Sequence, residues 1–374
     1  MIKPNYAYGL YEVAGRQFLN KTDALIEASR LGVDCHWNFH DAVYSAHDWS
    51  VRPAGTLKDL YKRRAQQIRD MYDYVIVHFS GGADSWTALN SFLSNGIHVD
   101  EVFSRWAFAE RKYKDPTPYV FKEVNLASEY EYAAEPVLKE IEKKYPRTKI
   151  YIDDYSEVYT KEVTENTLTG GNHYLTMGTF YRFNRKSPWE QEAAKQGKRI
   201  AVVYGFDKIQ CLVTDGVVQA HFVDRFGGTD TDPDRHVEAF YWSTMMPEIP
   251  IMQAHDLKLY YENNNAIMYM AVYDKNIYVE CCYPDYNINT FQSGKPIGST
   301  LWASETWIRK FNPRYVESWE WALKQYQPTV DSRFNEYYQD SLKVGYKTMK
   351  SKIYTVGKFV PNVDNTNTVN LAFQ

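Results

Sequence analysis

The sequence predicts an α/β fold built on a parallel sheet. Between residues 56 and 225, short runs of apolar and β-branched residues alternate with segments whose apolar residues recur at helical spacing, the pattern of strand–helix–strand units. The first run, residues 74–79, leads into two glycines and is typical of a strand buried on both faces of a parallel sheet. We expect this domain to follow a small α+β appendage, residues 1–55, and to precede a mostly helical C-terminal region, residues 226–374.

The N-terminal appendage is predicted to contain a hairpin and a helix. Residues 5–19 form two strand-like runs that meet at Gly15, and a helix follows over residues 22–30. Residues 33–55 are rich in His and Trp but match no metal-ligand spacing. Partly buried aromatic side chains are therefore favoured over a metal site in this stretch.

A helix is predicted over residues 56–72, because apolar side chains recur on one of its faces. The same segment carries the basic residues Lys62, Arg63, Arg64 and Arg69. We interpret this basic cluster as a solvated face, and contact with a substrate is the alternative.

The stretch around which the chain is organised follows the first strand. Residues 80–85 read Ser-Gly-Gly-Ala-Asp-Ser, and apolar residues at helical spacing run from Trp86 to Leu93. Glycines let the backbone approach an oxyanion, and the N–H groups and dipole of a helix N-terminus favour negative charge. No lysine follows the glycines, so the P-loop of kinases and GTPases is excluded. The stretch predicts an anion site of another kind.

This pattern resembles SGGxDS, the signature of the PP-loop ATP pyrophosphatases, a family that includes asparagine synthetase, NAD synthetase and PAPS reductase. Family members share an adenine nucleotide α-hydrolase-like (HUP-type) fold. Most of them cleave ATP between the α and β phosphates, adenylate a substrate and release pyrophosphate. The resemblance implies that six residues bind ATP and that Asp84 is also catalytic and a ligand of Mg²⁺. The six residues are Ser80, Gly81, Gly82, Ala83, Asp84 and Ser85.

The second predicted strand, residues 99–108, ends at the sheet edge where open α/β sheets bind ligands. In the family that the motif resembles, the end of this strand contacts adenine through backbone groups. The resemblance therefore implies that Phe103, Ser104 and Arg105 form a shelf for adenine.

The fourth predicted strand carries the second informative feature, Gly205 followed by Asp207 and Lys208. A charged pair after a strand-ending glycine lies at the same sheet edge as the first motif. The arrangement resembles the family's second phosphate and magnesium motif. It implies that Gly205 contacts the nucleotide, that Asp207 binds Mg²⁺ and acts in catalysis, and that Lys208 neutralises charge at the α-phosphate. An ordinary surface turn is the alternative.

Further elements are predicted from spacing and turn signals alone. They are a helix broken near Pro136, a third strand over residues 149–155, a helix from Ser187, a hairpin over residues 209–223, a helix ending residues 240–262 and a helix from Pro313. Two loops are also of interest. A glycine turn at residues 168–173 would face the acceptor substrate or form a simple loop. Residues 226–236 fail as an EF-hand and are interpreted as an acidic lid loop.

The motifs predict an ATP-dependent ligase that uses ATP and Mg²⁺ to adenylate an unidentified small-molecule or nucleotide acceptor. Ile2 stands where an N-terminal glutaminase would have its cysteine, so we expect nitrogen from ammonia, an amine or a partner. Two alternatives stay open. A PAPS reductase-like enzyme would need a thiol such as that of Cys281 or Cys282, and a regulator would bind nucleotide without turnover.

Composition narrows the expected partners. The net charge is −4 and no basic block stands out, so nucleic-acid binding is not indicated, although it is not excluded. No apolar stretch approaches a membrane span, and we expect a cytoplasmic protein without a membrane partner.

The four cysteines have no zinc-like spacing and are expected to be buried free thiols. The 32 tyrosines and 10 tryptophans are expected mainly to fill the core, and the oligomeric state stays open.

Overall fold

The structure is a computed structural model of the 374-residue chain. It describes residues 9–18, 21–106, 108, 130–154, 185–205, 209–224, 235–264, 275–286 and 349–362. Several predictions fall outside the described residues. They are the pair Asp207 and Lys208, the glycine turn at residues 168–173, most of the acidic loop at residues 226–236 and the helix from Pro313.

The described residues contain the following elements. In chain order, the strands are β1 (Leu10–Val13), β2 (Arg16–Phe18), β3 (His36–Asn38), β4 (Tyr74–His78), β5 (Glu101–Trp106), β6 (Lys149–Asp154), β7 (Ile200–Tyr204), β8 (Gln210–Thr214), β9 (Val217–His221), β10 (Arg235–Ala239) and β11 (Tyr354–Lys358). The helices are α1 (Lys21–Leu31), α2 (Asp41–Tyr44), α3 (Leu57–Met71), α4 (Ala83–Leu93), α5 (Glu135–Lys144), α6 (Pro188–Lys195), α7 (Glu248–Asn263) and α8 (Lys275–Cys282). A π-helical turn, Tyr130–Ala134, leads into α5.

The central sheet consists of parallel strands in the order β10-β7-β4-β5-β6. β4 lies in the middle, and its residues Tyr74 to Val77 are buried, as expected for a strand covered on both faces. Helices α3 and α4 pack against β4, α5 packs against β6, and α6 packs against β7. The predicted α/β fold with a parallel sheet is confirmed.

The strand order reverses at β4. From β4 the chain adds β5 and then β6 on one side, and it then crosses back to place β7 and β10 on the other side. His78 at the end of β4 lies opposite Tyr204 at the end of β7. The carboxyl ends of these two strands therefore meet at a topological switch point, where open α/β sheets bind ligands.

Local predictions are confirmed in several places. β1 and β2 form the hairpin that turns at Gly15, and α1 is followed by Gly32, whose φ of +66° suits a helix end. Thr56 caps α3 in a capping box with Asp59. Pro136 lies in the first turn of α5, and the β8–β9 hairpin is also present.

The interpretation of the basic cluster as a solvated face is wrong for Arg64. This side chain is fully buried, and it donates to a carboxylate oxygen of Glu238 at 2.5 Å and to the carbonyl of Ala239 at 3.2 Å. A buried guanidinium needs such partners, because an unpaired buried charge is strongly destabilising. Lys62 and Arg63 are exposed, as predicted.

The sequence did not reveal β3, β10 and β11. β3 pairs with β1, β11 pairs with β9, and β10 extends the central sheet beside β7. β10 begins at Arg235, so the interpretation of residues 226–236 as a loop is wrong for Arg235 and His236. These three strands pair with partners distant in sequence, and a short strand carries too little pattern to reveal such pairing.

Aromatic rings join the N-terminal sheet to the sheet formed by β8, β9 and β11. The ring of Phe222 lies at the centre, with centroid distances of 4.5 Å to Phe39, 4.7 Å to Tyr44 and 4.9 Å to Trp242. All four of these residues are buried. The high aromatic content therefore fills the core here, as expected.

Two further expectations from composition concern the cysteines and helices that could span a membrane. All four cysteines are free thiols; Cys211 and Cys282 are buried as expected, whereas Cys35 and Cys281 are only partly buried. None of the helices in the described part of the chain is long and apolar enough to cross a bilayer.

Candidate functional site

The glycine turn follows β4 and leads directly into α4. Gly81 has a φ of +76°, a conformation that side chains disfavour. A Cβ atom at this position would stand 2.9 Å from the backbone nitrogen of Ala134 and 3.1 Å from its Cβ atom. The turn therefore packs against the π-helical segment before α5, and both the conformation and the space there require glycine.

The two serines of the motif have different positions. Ser80 is exposed, whereas Ser85 is buried and closes the turn from inside. The Ser85 hydroxyl accepts from the Ser80 N–H at 3.1 Å and lies 3.2 Å from the Ser80 hydroxyl. It also donates to the carbonyl of Gly82 at 3.1 Å. Ser85 therefore fixes the shape of the turn, and Ser80 stands at its surface.

The N-terminus of α4 carries backbone N–H donors at the glycine turn. Gly82 is the N-cap residue, has an extended backbone and makes no side-chain cap. The first backbone bond of the helix runs from the Trp86 N–H to the Gly82 carbonyl at 2.9 Å. The N–H groups of Ala83, Asp84 and Ser85 precede it and have no acceptor within the helix. With the helix dipole, these groups favour a bound phosphate.

The second motif meets the first at Gly205. A Cβ atom on Gly205 would stand 2.5 Å from the carbonyl oxygen of Asp84 and 2.8 Å from Cα of Ser85. The end of β7 therefore lies directly against the first turn of α4, as the shared sheet edge predicted. Asp207 and Lys208, two and three residues further along, lie outside the described residues.

Asp84 accepts hydrogen bonds from two tyrosines, Tyr241 and Tyr283, which the sequence did not identify. The Tyr241 hydroxyl donates to the Asp84 carbonyl at 2.7 Å, and the Tyr283 hydroxyl donates to its carboxylate oxygen Oδ1. Burial raises the pKa of both phenols well above the ordinary value, with the charge of Asp84 adding to the effect, so both stay protonated donors. The contacts join residues 157 and 199 positions apart, and no local pattern could have identified them.

The predicted adenine shelf lies one strand away, at the end of β5. The Phe103 carbonyl accepts from the Phe79 N–H at 2.9 Å, and the Ser104 hydroxyl donates to the Phe79 carbonyl at 2.8 Å. Both side chains are buried. Phe103 and Ser104 thus support the residue that precedes the glycine turn, and their contact with adenine stays a prediction.

Arg105 lies in a charged group at the ends of β5 and β6. Its guanidinium lies 4.6 Å from the ring centroid of Phe103, and its Nε lies 3.5 Å from a carboxylate oxygen of Asp153. Asp153 is buried and also forms an ion pair with Arg185 at 2.8 Å. The sequence missed Asp153 and Arg185, although the position of Asp153 in a strand at this sheet edge was a usable signal.

An aromatic row crosses four strands beside the turn. His78 stacks on Phe103 with a centroid distance of 4.7 Å and lies 4.3 Å from the ring of Tyr204. Phe103 in turn lies 5.2 Å from Tyr151. These residues occupy neighbouring positions in the strand register. The row fixes the carboxyl ends of β7, β4, β5 and β6 relative to one another.

Asp84 is the one predicted metal ligand that lies among the described residues. Among them, no three His, Cys, Asp or Glu side chains lie close enough to hold an ion. Asp84 is the carboxylate of the turn itself, and its predicted companion Asp207 lies outside the described residues. Cys281, near Tyr283, does not show the features of a reactive thiol, because burial raises its pKa to about 12.

Chemically, the arrangement offers a rigid turn, a helix N-terminus and one carboxylate at a sheet edge, which suits the binding of a phosphate chain with a cation. No protein-family model matches the sequence, and a search of curated proteins gives no significant match.

Proposed function

We propose that this protein is an ATP pyrophosphatase of the PP-loop type. It binds ATP with Mg²⁺, cleaves the bond between the α and β phosphates, and transfers the adenylyl group to an acceptor with release of pyrophosphate. A nitrogen nucleophile then captures the adenylated acceptor. The observation that carries the proposal is the contact of Gly205 with Asp84 and Ser85, which brings the two sequence motifs together at the switch point of the sheet.

The described residues suit the binding of the pyrophosphate portion of ATP. The N–H groups at the start of α4 and the surface hydroxyl of Ser80 are hydrogen-bond donors located at the turn. Gly81 and Gly205 leave no side chain between this backbone and its neighbours. A phosphate chain is thus bound by backbone groups whose positions are fixed before it arrives.

Asp84 fits a role as a ligand of Mg²⁺, since hard cations prefer carboxylate oxygens. When bound, Mg²⁺ would neutralise charge on the phosphates. Asp207 supplies the second carboxylate in this proposal, and Lys208 neutralises charge that develops at the α-phosphate and on the leaving pyrophosphate. An acceptor oxygen attacks the α-phosphorus, and pyrophosphate takes the electron pair of the broken bond. No covalent enzyme intermediate is needed.

We also propose roles for the central domain and for the C-terminal region. The strand order supports an adenine nucleotide α-hydrolase-like domain over residues 56–225, to which β10 adds a further strand. The C-terminal region then selects the acceptor and covers the nucleotide, and its segment 275–286 reaches the turn through Tyr283. A PAPS reductase-like reaction is disfavoured, because the raised pKa of Cys281 leaves little thiolate at neutral pH.

The test compares three proteins incubated with ATP, Mg²⁺ and a pool of amino acids, nucleotides and ammonia. They are the wild type, Asp84→Ala, and the matched control Asp70→Ala, which removes an exposed carboxylate from α3. Mass spectrometry should detect AMP and pyrophosphate with the wild type and the control but not with Asp84→Ala. ATP that binds tightly yet stays intact with every fraction of the pool would refute adenylation and favour a nucleotide-binding regulator.

A further inference from the structure

The carboxylate of Asp84 is held from outside the glycine turn. The Tyr283 hydroxyl, just after α8, donates to Oδ1 of Asp84, while the Tyr241 hydroxyl, just after β10, donates to its backbone carbonyl at 2.7 Å. The two phenol rings pack together with centroids 5.5 Å apart. The side chain and the backbone of Asp84 are therefore each fixed by a separate tyrosine.

Tyr283 can act on Asp84 only as a hydrogen-bond donor. Its side chain is almost completely buried, with 1% exposed, and its pKa lies well above the ordinary value because of that burial and the nearby Asp84. Its hydroxyl therefore donates to the Asp84 carboxylate and fixes the position of Oδ1.

An aspartate in the first turn of a helix has two competing uses. Its oxygens can accept from nearby backbone N–H groups, which would occupy the donors that a phosphate needs. They can instead face a cation. Donation from Tyr283 fixes Oδ1 beside the end of α8, and this contact orients the carboxylate for the second use.

We propose that Tyr283 is a positioning residue for the nucleotide site: it holds the Asp84 carboxylate in the orientation that is presented to Mg²⁺. This inference rests on the proposed function. The position of Tyr283 is also fixed, because the buried Tyr61 hydroxyl donates to the carbonyl of the preceding residue, Cys282, at 2.7 Å. Partners of this kind commonly change metal affinity when they are removed.

The test measures ATP binding by calorimetry at increasing Mg²⁺ concentrations. Tyr283→Phe should raise the Mg²⁺ concentration needed for half-maximal binding about 10-fold, the lower end of the range for such partners. The matched control is Tyr278→Phe on α8, whose buried hydroxyl donates to Gln253 at 3.3 Å rather than to Asp84, and it should behave like the wild type. Calorimetric stoichiometry counts the folded fraction, so a loss of stability alone would lower the number of sites and leave the Mg²⁺ dependence unchanged.

A double-mutant cycle shows whether Tyr283 acts through Asp84. In an Asp84→Asn background, Tyr283→Phe should have no further effect, because the two residues then belong to one interaction. Additive effects, or an unchanged Mg²⁺ dependence in Tyr283→Phe, would overturn the inference and leave the proposed function intact. A shift in Tyr283→Phe with no AMP formed by the wild type would support the inference and refute adenylation. A wild type that binds no ATP would overturn both.

Discussion

Gly205 and Asp84, on two different elements of the chain, are in backbone contact. A Cβ atom on Gly205 would stand 2.5 Å from the Asp84 carbonyl oxygen, whereas carbon atoms pack favourably at about 3.5 Å or more. Any side chain at Gly205 must therefore push β7 and the first turn of α4 apart by about 1 Å. The contact links the end of one strand to the turn that follows another.

The first prediction follows from this contact. Gly205→Ala should weaken ATP binding by about 10-fold or more, since displacements of about 1 Å in a site can cost about 100-fold in rate. Val203→Ala is the control, because it removes buried atoms from the same strand without reaching the turn. It should lower the free energy of unfolding and leave ATP affinity unchanged. Calorimetry and urea unfolding of both variants would check this, and equal ATP affinity in Gly205→Ala and the wild type would contradict it.

The second prediction concerns Gly81, which has a matched control in Gly15. Their φ angles are +76° and +78°, but a Cβ atom on Gly15 has nothing within 4 Å, whereas one on Gly81 meets Ala134 at 2.9 Å. Gly15→Ala should therefore cost only the left-handed conformation, about 1 kcal/mol. Gly81→Ala should cost about 1–3 kcal/mol more from overpacking and should also abolish ATP binding. Urea unfolding with and without ATP separates the two effects, and equal losses of stability would refute the steric argument.

The sequence predicted those parts of the fold whose signals are local. A continuous apolar run, two glycines and a helical repeat identified β4, the turn and α4, and a glycine after a second apolar run identified Gly205. The contact between the two motifs was predictable as well, because the ends of parallel strands share one edge.

The rest depends on partners far along the chain. Arg64 lies on the buried face of α3, but its partner Glu238 is 174 residues away, so the sequence alone predicts a solvated charge at this position. Tyr241 and Tyr283 are two of 32 tyrosines, and neither lies in a recognisable pattern. The roles of Asp207 and Lys208 stay predictions.

The third prediction uses the buried carboxyl of Glu101. Burial raises its pKa to about 7, and hydrogen bonds from Ser187 and Tyr74 oppose this rise only in part. Because the folded-state pKa lies above the unfolded value, stability is present at low pH and is lost as the pH rises from about 4.5 through 7, by about 3 kcal/mol. Glu101→Gln cannot ionise, so it should match the wild type at pH 5 and exceed its free energy of unfolding at pH 8.

Urea unfolding at pH 5, 6, 7 and 8 would measure that difference. Tyr74→Phe removes one hydroxyl that donates to Glu101, at 3.1 Å. The loss of stability on raising the pH should therefore be larger in Tyr74→Phe than in the wild type. A difference between Glu101→Gln and the wild type that does not change with pH would show that Glu101 does not titrate in this range.

The last prediction concerns His221 on β9, which is 1% exposed and has no hydrogen-bond partner for either ring nitrogen in the described part of the chain. Burial lowers its pKa to about 4, and the positive charge of Lys350 adds to the effect. The unfolded chain therefore binds a proton more readily, and stability is lost as the pH falls from about 6.5 to 4, by about 3 kcal/mol.

His221→Phe and His221→Gln should both remove this loss, since neither side chain titrates. His221→Phe should be the more stable of the two, because it leaves no polar atom buried without a partner. Urea unfolding between pH 4.5 and 7.5 would test both statements, and an unchanged pH slope in either variant would assign the acid sensitivity to other groups.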